Sequence, residues 1–151
     1  MSATVLRDNF YLDVLPLFAD AAGVVRGPAG DGRVAAVARA DVADVAVAGL
    51  RDPGGHGGAT YTLTGPEALT LVEVTQRAGA VLGRELRFED ETLEEADASR
   101  RAAYDVGDWQ LDAWVSTYTA IAGGACAALS DDVRRVAGHE PRSLEQALTG
   151  A

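Results

Sequence analysis

Lysine is absent from this chain of 151 residues, so its fixed cations are 13 arginines. A lysine general acid, Schiff base or phosphate anchor is therefore excluded from it. Basic charge is scarce as well. Asp and Glu number 23, and the formal net charge is −10. That balance argues against nucleic acid and anionic membrane surfaces as partners, because both require a basic face. Cys126 is the single cysteine, which rules out an internal disulfide and a cysteine-rich zinc site. His56 and His139 are the only histidines, each in a turn context, with no H-x-x-H, H-E-x-x-H or acidic calcium loop, so no metal site is expected. No apolar run reaches membrane-spanning length. The opening MSATVLRDNFYL lacks the basic flank and apolar core of a leader, so a reducing cytoplasm is the expected compartment.

What is present is an alternation of short apolar runs and helical patterns, which is an α/β arrangement with few, short strands. Thr4–Leu6 reads as a strand buried on both faces. Phe10–Ala22 reads as a short helix carrying Pro16, and Gly27–Gly32 as a tight turn. Arg33–Ala38 reads as a second strand. Asp41 is placed to cap a helix over Val42–Leu50 that is apolar on nearly every side and so buried. Asp52–Gly58 is a glycine-rich loop, and Tyr61–Leu63 a strand. Thr70 and Glu73 have the spacing of a capping box for a helix ending at Leu82, with Gly83 as its stop. Leu86–Phe88 is a further strand. Thr92–Ala103 reads as an exposed, charged helix and Trp109–Ala122 as an amphipathic one. Ser130 is placed to cap a short helix through Val136, and Pro141–Leu148 reads as a last helix. The length suits one domain, residues 1–151.

No G-x-G-x-x-G opens a helix. Gly27, Gly30 and Gly32 precede a strand, whereas a phosphate cradle needs a helix N-terminus after its glycines. Ser116, Ser130 and Ser143 have no nucleophile-elbow context. The acidic run Glu89–Glu91 with Glu94 and Glu95 reads as a solvated face, and Cys126 as a small packed residue. Arg7, Asn9, Phe10 and Tyr11 remain. They follow the first strand, and ligands of open α/β sheets bind at the carboxyl ends of strands. An amide, a guanidinium and two aromatics there can face a planar ring. Turn bonding by Asn9 with core packing by Phe10 and Tyr11 accounts for the same residues equally well.

TVLRDNFYLDVLP, GPAGDGRVAAVARADVADVAVAGL, YTLTGPEALTLVEVTQRAGAVLGREL and SDDVRRVAGHEPRSLEQAL, in that order, resemble the NmrA-like, type 2 quinone oxidoreductase-like branch of the atypical short-chain dehydrogenase/reductases. The resemblance covers essentially the whole chain and only the C-terminal, substrate-side half of the family. It implies the C-terminal portion of a Rossmann-type fold, a few short strands with a helical substrate lobe, with the dinucleotide-fingerprint half absent. Ala125 and Cys126 depart from a more polar or bulkier family pattern.

By the same resemblance the cofactor is NADP or NAD, and Asn9, Phe10 and Tyr11 lie on its nicotinamide and substrate side. The substrate is a small molecule, quinone-like. The chain is then the substrate-side part of an NAD(P)H-dependent oxidoreductase, not catalytic alone. The alternatives are a non-enzymatic remnant, or a binding or regulatory module that associates with another chain. In the latter case the N-terminal strand edge is a route to a homo-oligomer.

Overall fold

The computed structural model describes residues 2–150. Among the described residues six short strands form three separate two-stranded pieces rather than one sheet. Val5–Asp8 (β1) runs parallel to Thr60–Leu63 (β4), with Leu6 opposite Tyr61 and Arg7 opposite Thr62. Val24–Gly27 (β2) runs parallel to Arg87–Asp90 (β6), and Arg33–Val34 (β3) antiparallel to Leu69–Thr70 (β5). The helices are Arg39–Arg51 (α1), Pro53–His56 (α2), Leu71–Leu82 (α3), Leu93–Ala103 (α4), Asp108–Ala122 (α5), Asp132–Ala137 (α6) and Leu144–Thr149 (α7). Among the described residues no helix is long and apolar enough to cross a membrane.

Two apolar cores hold these pieces. The larger gathers Leu12, Leu15, Val34, Leu71, Val74, Ala78 and Ile121, binding α3, α5 and α7 to the middle of the chain. The smaller sits under β1 and β4, where Leu6, Tyr61 and Leu63 meet Val37, Val45 and Val133. Because side chains alternate across a strand, Leu6 and Tyr61 face this core and Arg7 and Thr62 face the other way.

Several expectations need correction. Tertiary bonding replaces the helix over Phe10–Ala22. Val37 N–H donates to the Phe10 carbonyl at 2.7 Å and Leu12 N–H donates to the Val37 carbonyl at 3.0 Å, so the backbone is committed to a bridge beside Val37. Only a single 3-10 turn, Leu15–Phe18, forms, with Pro16 at its start where no N–H is needed. Val24–Gly27, which the sequence did not mark as a strand, is one because Phe88 and its neighbours supply a parallel partner.

β1 is not buried on both faces. Val5 is 47% exposed, and among the described residues only β4 pairs with it. The helix over Val42–Leu50 begins at Arg39 and is not buried all round: Val45 is inside, while Leu50 is 81% exposed. Asp41 does not cap it. It lies in the first turn, fully buried, and accepts from the Arg142 backbone N–H at 2.8 Å and from the Arg142 guanidinium. The glycine-rich loop contains the short helix α2, capped by Asp52, whose carboxylate accepts from Gly55 N–H at 3.1 Å.

The capping box at Thr70 and Glu73 is present, and Gly83 ends α3 in the left-handed conformation at φ 64°. Like-built boxes start α4 at Thr92 and α7 at Ser143. Ser130 does not cap α6. Asp131 holds that position, and the Ser130 hydroxyl accepts from Asp132 N–H at 3.2 Å. The acidic run is not uniformly solvated either. Glu91 turns inward to Arg100 at 2.7 Å, both side chains nearly buried.

The last helix is tied to α3 by Arg77, which reaches Glu145 at 2.7 Å and Glu67 at 2.8 Å. The Arg77 hydrogen bonds hold the Glu145 carboxyl down to about 2 against their burial cost. Its folded value lies below its unfolded value of 4.5, so its stabilising contribution is complete above that value and is lost as the pH falls through about 2. Glu145→Gln should flatten the acid limb of the stability profile between these values. Urea midpoints measured across that range check this, and an unchanged limb would count against it.

Candidate functional site

The carboxyl end of β1 carries Arg7 to Tyr11, and the structure sends these side chains to different places. Arg7 extends beside its cross-strand partner, its Nη2 donating to the Thr62 hydroxyl at 2.8 Å. Asn9 is used as a clasp. Its Oδ1 accepts from Phe10 N–H at 2.8 Å and its Nδ2 donates to the Cys126 carbonyl at 2.9 Å, 117 residues away in the chain. The same carbonyl accepts from Ala35 N–H at 2.8 Å, so three segments meet at one oxygen. Phe10 packs against the larger core and Tyr11 against the smaller one. The Tyr11 hydroxyl donates to Asp8 Oδ2 at 3.0 Å, and that bond to a carboxylate holds the phenol above its usual range.

Two cavities flank this turn. On one side is an apolar slot of only about 10 Å³ between Phe10, Phe18, Val25, Val74, Tyr118 and Ile121. On the other is an open groove of about 930 Å³, lined by Arg7 and Thr62 from the strands and by Gly65 and Pro66 from the loop after β4. Ala128, Leu129, Ser130 and Asp131 before α6, Arg134 within it, and Glu140 and Pro141 after it complete the lining. The groove is of ligand size and lies at the carboxyl ends of two parallel strands.

Its floor is fixed by bonds that the strand geometry dictates. Thr62 N–H, on the edge of β4 away from β1, donates to Asp132 Oδ2 at 2.7 Å. The Thr64 hydroxyl bonds the Ser130 carbonyl at 3.2 Å and accepts from Ser130 N–H at 3.0 Å. These bonds bring the loop before α6 across the strand ends.

Of the residues singled out by sequence, Arg7 reaches the groove, Phe10 lines the slot, and Asn9 and Tyr11 line neither. Thr62, Ser130 and Arg134 were missed. The signal available for Thr62 was its place near the end of a predicted strand. Nothing local marks Ser130 or Arg134, which arrive through the fold.

Asp41, Asp44 and His139 come together with potential ligand atoms within 4.8 Å of one another. The Arg142 guanidinium bonds both carboxylates, at 3.0 Å for Asp44, and His139 Nε2 lies 3.2 Å from Asp44. Arg142 holds the Asp44 carboxyl below its usual range. A guanidinium already supplies the positive charge there, and the cluster acts as a clasp of the C-terminal segment onto α1. Burial raises the Cys126 thiol, and Cys126 packs against the larger core.

Parallel strand pairs with helices packed on them, and a groove outside their carboxyl ends, define an α/β protein of Rossmann-like architecture. The crystal structure of NADPH-dependent quinone oxidoreductase 2 from Escherichia coli superimposes over 95% of this chain and 51% of its own, with a TM-score of 0.81 at 24% identity. No protein-family model matches the chain. In sequence it is 31% identical over 151 residues to the NAD(P)H azoreductase of Xenophilus azovorans, covering 97% of this chain and 51% of the azoreductase. It is 48% identical over 83 residues to a (4-alkanoyl-5-oxo-2,5-dihydrofuran-3-yl)methyl phosphate reductase of Streptomyces griseus subsp. griseus, covering 55% of this chain and 29% of that reductase. The chain is thus related to the NmrA-like, quinone oxidoreductase 2-like branch of the atypical short-chain dehydrogenase/reductases. It spans about half the length of the curated relatives that it matches along most of its own sequence.

Proposed function

We propose that the chain forms the C-terminal, substrate-side part of an NAD(P)H-dependent oxidoreductase acting on a small quinone-like molecule, and that it does not catalyse the reaction alone. The observation that carries this reading is the groove at the carboxyl ends of β1 and β4, in a chain matching half the length of nicotinamide-dependent reductases. The cofactor, NADP or NAD, would supply the hydride. The residues present fit a supporting role toward it, since no glycine fingerprint opens a helix. In this reading the Arg7–Tyr11 turn walls the nicotinamide and substrate side. Phe10 and Tyr11 anchor that turn in the two cores, and Asn9 fixes it to the segment around Cys126. A half-buried free cysteine suits a reducing cytoplasm.

A chimera tests the proposal directly. The matching half of the E. coli quinone oxidoreductase 2 is replaced by this chain, and quinone-dependent NADPH oxidation is followed. The chimera should turn over, while the chain by itself should show no rate above background. A chimera that is folded by circular dichroism and binds NADPH but reduces no quinone would sink the proposal. So would substantial turnover by the chain alone.

A further inference from the structure

We propose that the groove at the ends of β1 and β4 receives an anionic substituent of the substrate, a phosphate or carboxylate, and that Arg7 selects it. This deepens the reductase reading above and rests on it. The argument starts from charge. In a chain of net charge −10, ten of the 13 arginines have a carboxylate within 4.0 Å among the described residues; Arg7, Arg51 and Arg84 do not. Arg51 lies in the last turn of α1, where the helix carbonyl end accommodates a cation, and Arg84 donates to the Pro16 carbonyl at 3.4 Å. Of the three, Arg7 alone lines the groove.

The acids facing that space do not engage it. Asp131 and Glu140 line the groove too, but Arg134 stands between them at 3.5 and 3.7 Å. Two acids and Arg134 leave one negative charge, and Arg7 brings the lining to neutrality with its guanidinium unengaged by either acid. Thr62 holds one Nη of Arg7 at 2.8 Å, which fixes the group against the strand while leaving its remaining N–H donors available. The Thr62 and Ser130 hydroxyls add neutral polar groups beside it. A guanidinium is suited to an oxyanion because its planar fork makes paired, charge-assisted bonds.

The test uses the full chain and inorganic phosphate, followed by amide NMR at constant ionic strength with chloride as the control. Phosphate should give saturable shifts at Arg7, Thr62 and Ser130. Arg7→Gln should weaken the apparent affinity by about tenfold or more, and Arg51→Gln should leave it unchanged. An alkyl phosphate should compete for the site, with NADP and NAD equally poor competitors. The proposal is overturned if phosphate shifts do not saturate, or if they persist in Arg7→Gln. It is also overturned if NADP competes through Arg7 while NAD does not, since the anion would then belong to the cofactor. A change in oligomeric state caused by Arg7→Gln would overturn it in favour of an acidic protein partner. The chimera assay uses a neutral quinone, so its failure and the failure of phosphate binding are separately visible.

Discussion

Arg142→Ala is expected to destabilise the protein by about 3 kcal/mol, the cost of leaving a buried carboxylate without its counter-charge. Asp41 has no exposed surface, and Arg142 satisfies it with both its backbone N–H and its guanidinium while also reaching Asp44. Truncating Arg142 strands one charge inside α1 and releases the segment that carries His139 and α7. Arg101→Ala is the control. Its pairs with Asp97 and Asp108 lie on the surface, where water screens them, so little stability should be lost. Urea denaturation followed by circular dichroism gives both values. The interpretation fails if the two variants lose the same amount. The double variant Asp41→Leu/Arg142→Met should recover part of the loss, because it removes the stranded charge along with its partner.

Gly32→Ala should have a comparable effect, about 3 kcal/mol, through overpacking. A Cβ there would lie 2.3 Å from the Ile121 carbonyl oxygen and 2.8 Å from the Ala122 Cα. Those are backbone atoms at the end of α5, and they cannot rotate aside. Gly27 shows the same constraint against a side chain, with a Cβ placed 2.2 Å from the Tyr118 ring. Gly30, two residues before Gly32, has φ 52° and open space around it. Gly30→Ala should therefore cost only the left-handed backbone penalty, about 1 kcal/mol. Thermal midpoints that fall equally for Gly30→Ala and Gly32→Ala would show that turn geometry, rather than contact with α5, governs this segment.

These glycines show where sequence reasoning stopped. The spacing of Gly27, Gly30 and Gly32 excluded a phosphate cradle, but it could not say that two of them are the surface on which α5 rests. Long-range contact of that kind has no local signature. The capping box of α3 was legible because Thr70 and Glu73, three residues apart, bond each other wherever the chain goes. The helix over Phe10–Ala22 was misread for the opposite reason: Val37 claims the backbone groups that the helix would have used. The same holds for Asp41, whose position in the sequence suited a cap and whose partner lies 101 residues on.

The candidate site divides in the same way. The sequence placed Arg7–Tyr11 after a strand, and carboxyl ends of strands are where α/β ligands sit. It could not separate the side chains, which strand alternation and two distinct cores send to a groove, a clasp, a slot wall and an inner face. By itself, then, the sequence determined the α/β class, the start and stop of α3, the acidic character and the family resemblance. Those follow from local bonding, periodicity and composition. The tertiary structure alone decided that Arg7 shares a groove with Thr62 and Ser130, that Asp41 is buried against Arg142, and that glycines seat α5. Each of these depends on atoms many residues apart being brought within a few ångströms, and only the packed fold sets those distances.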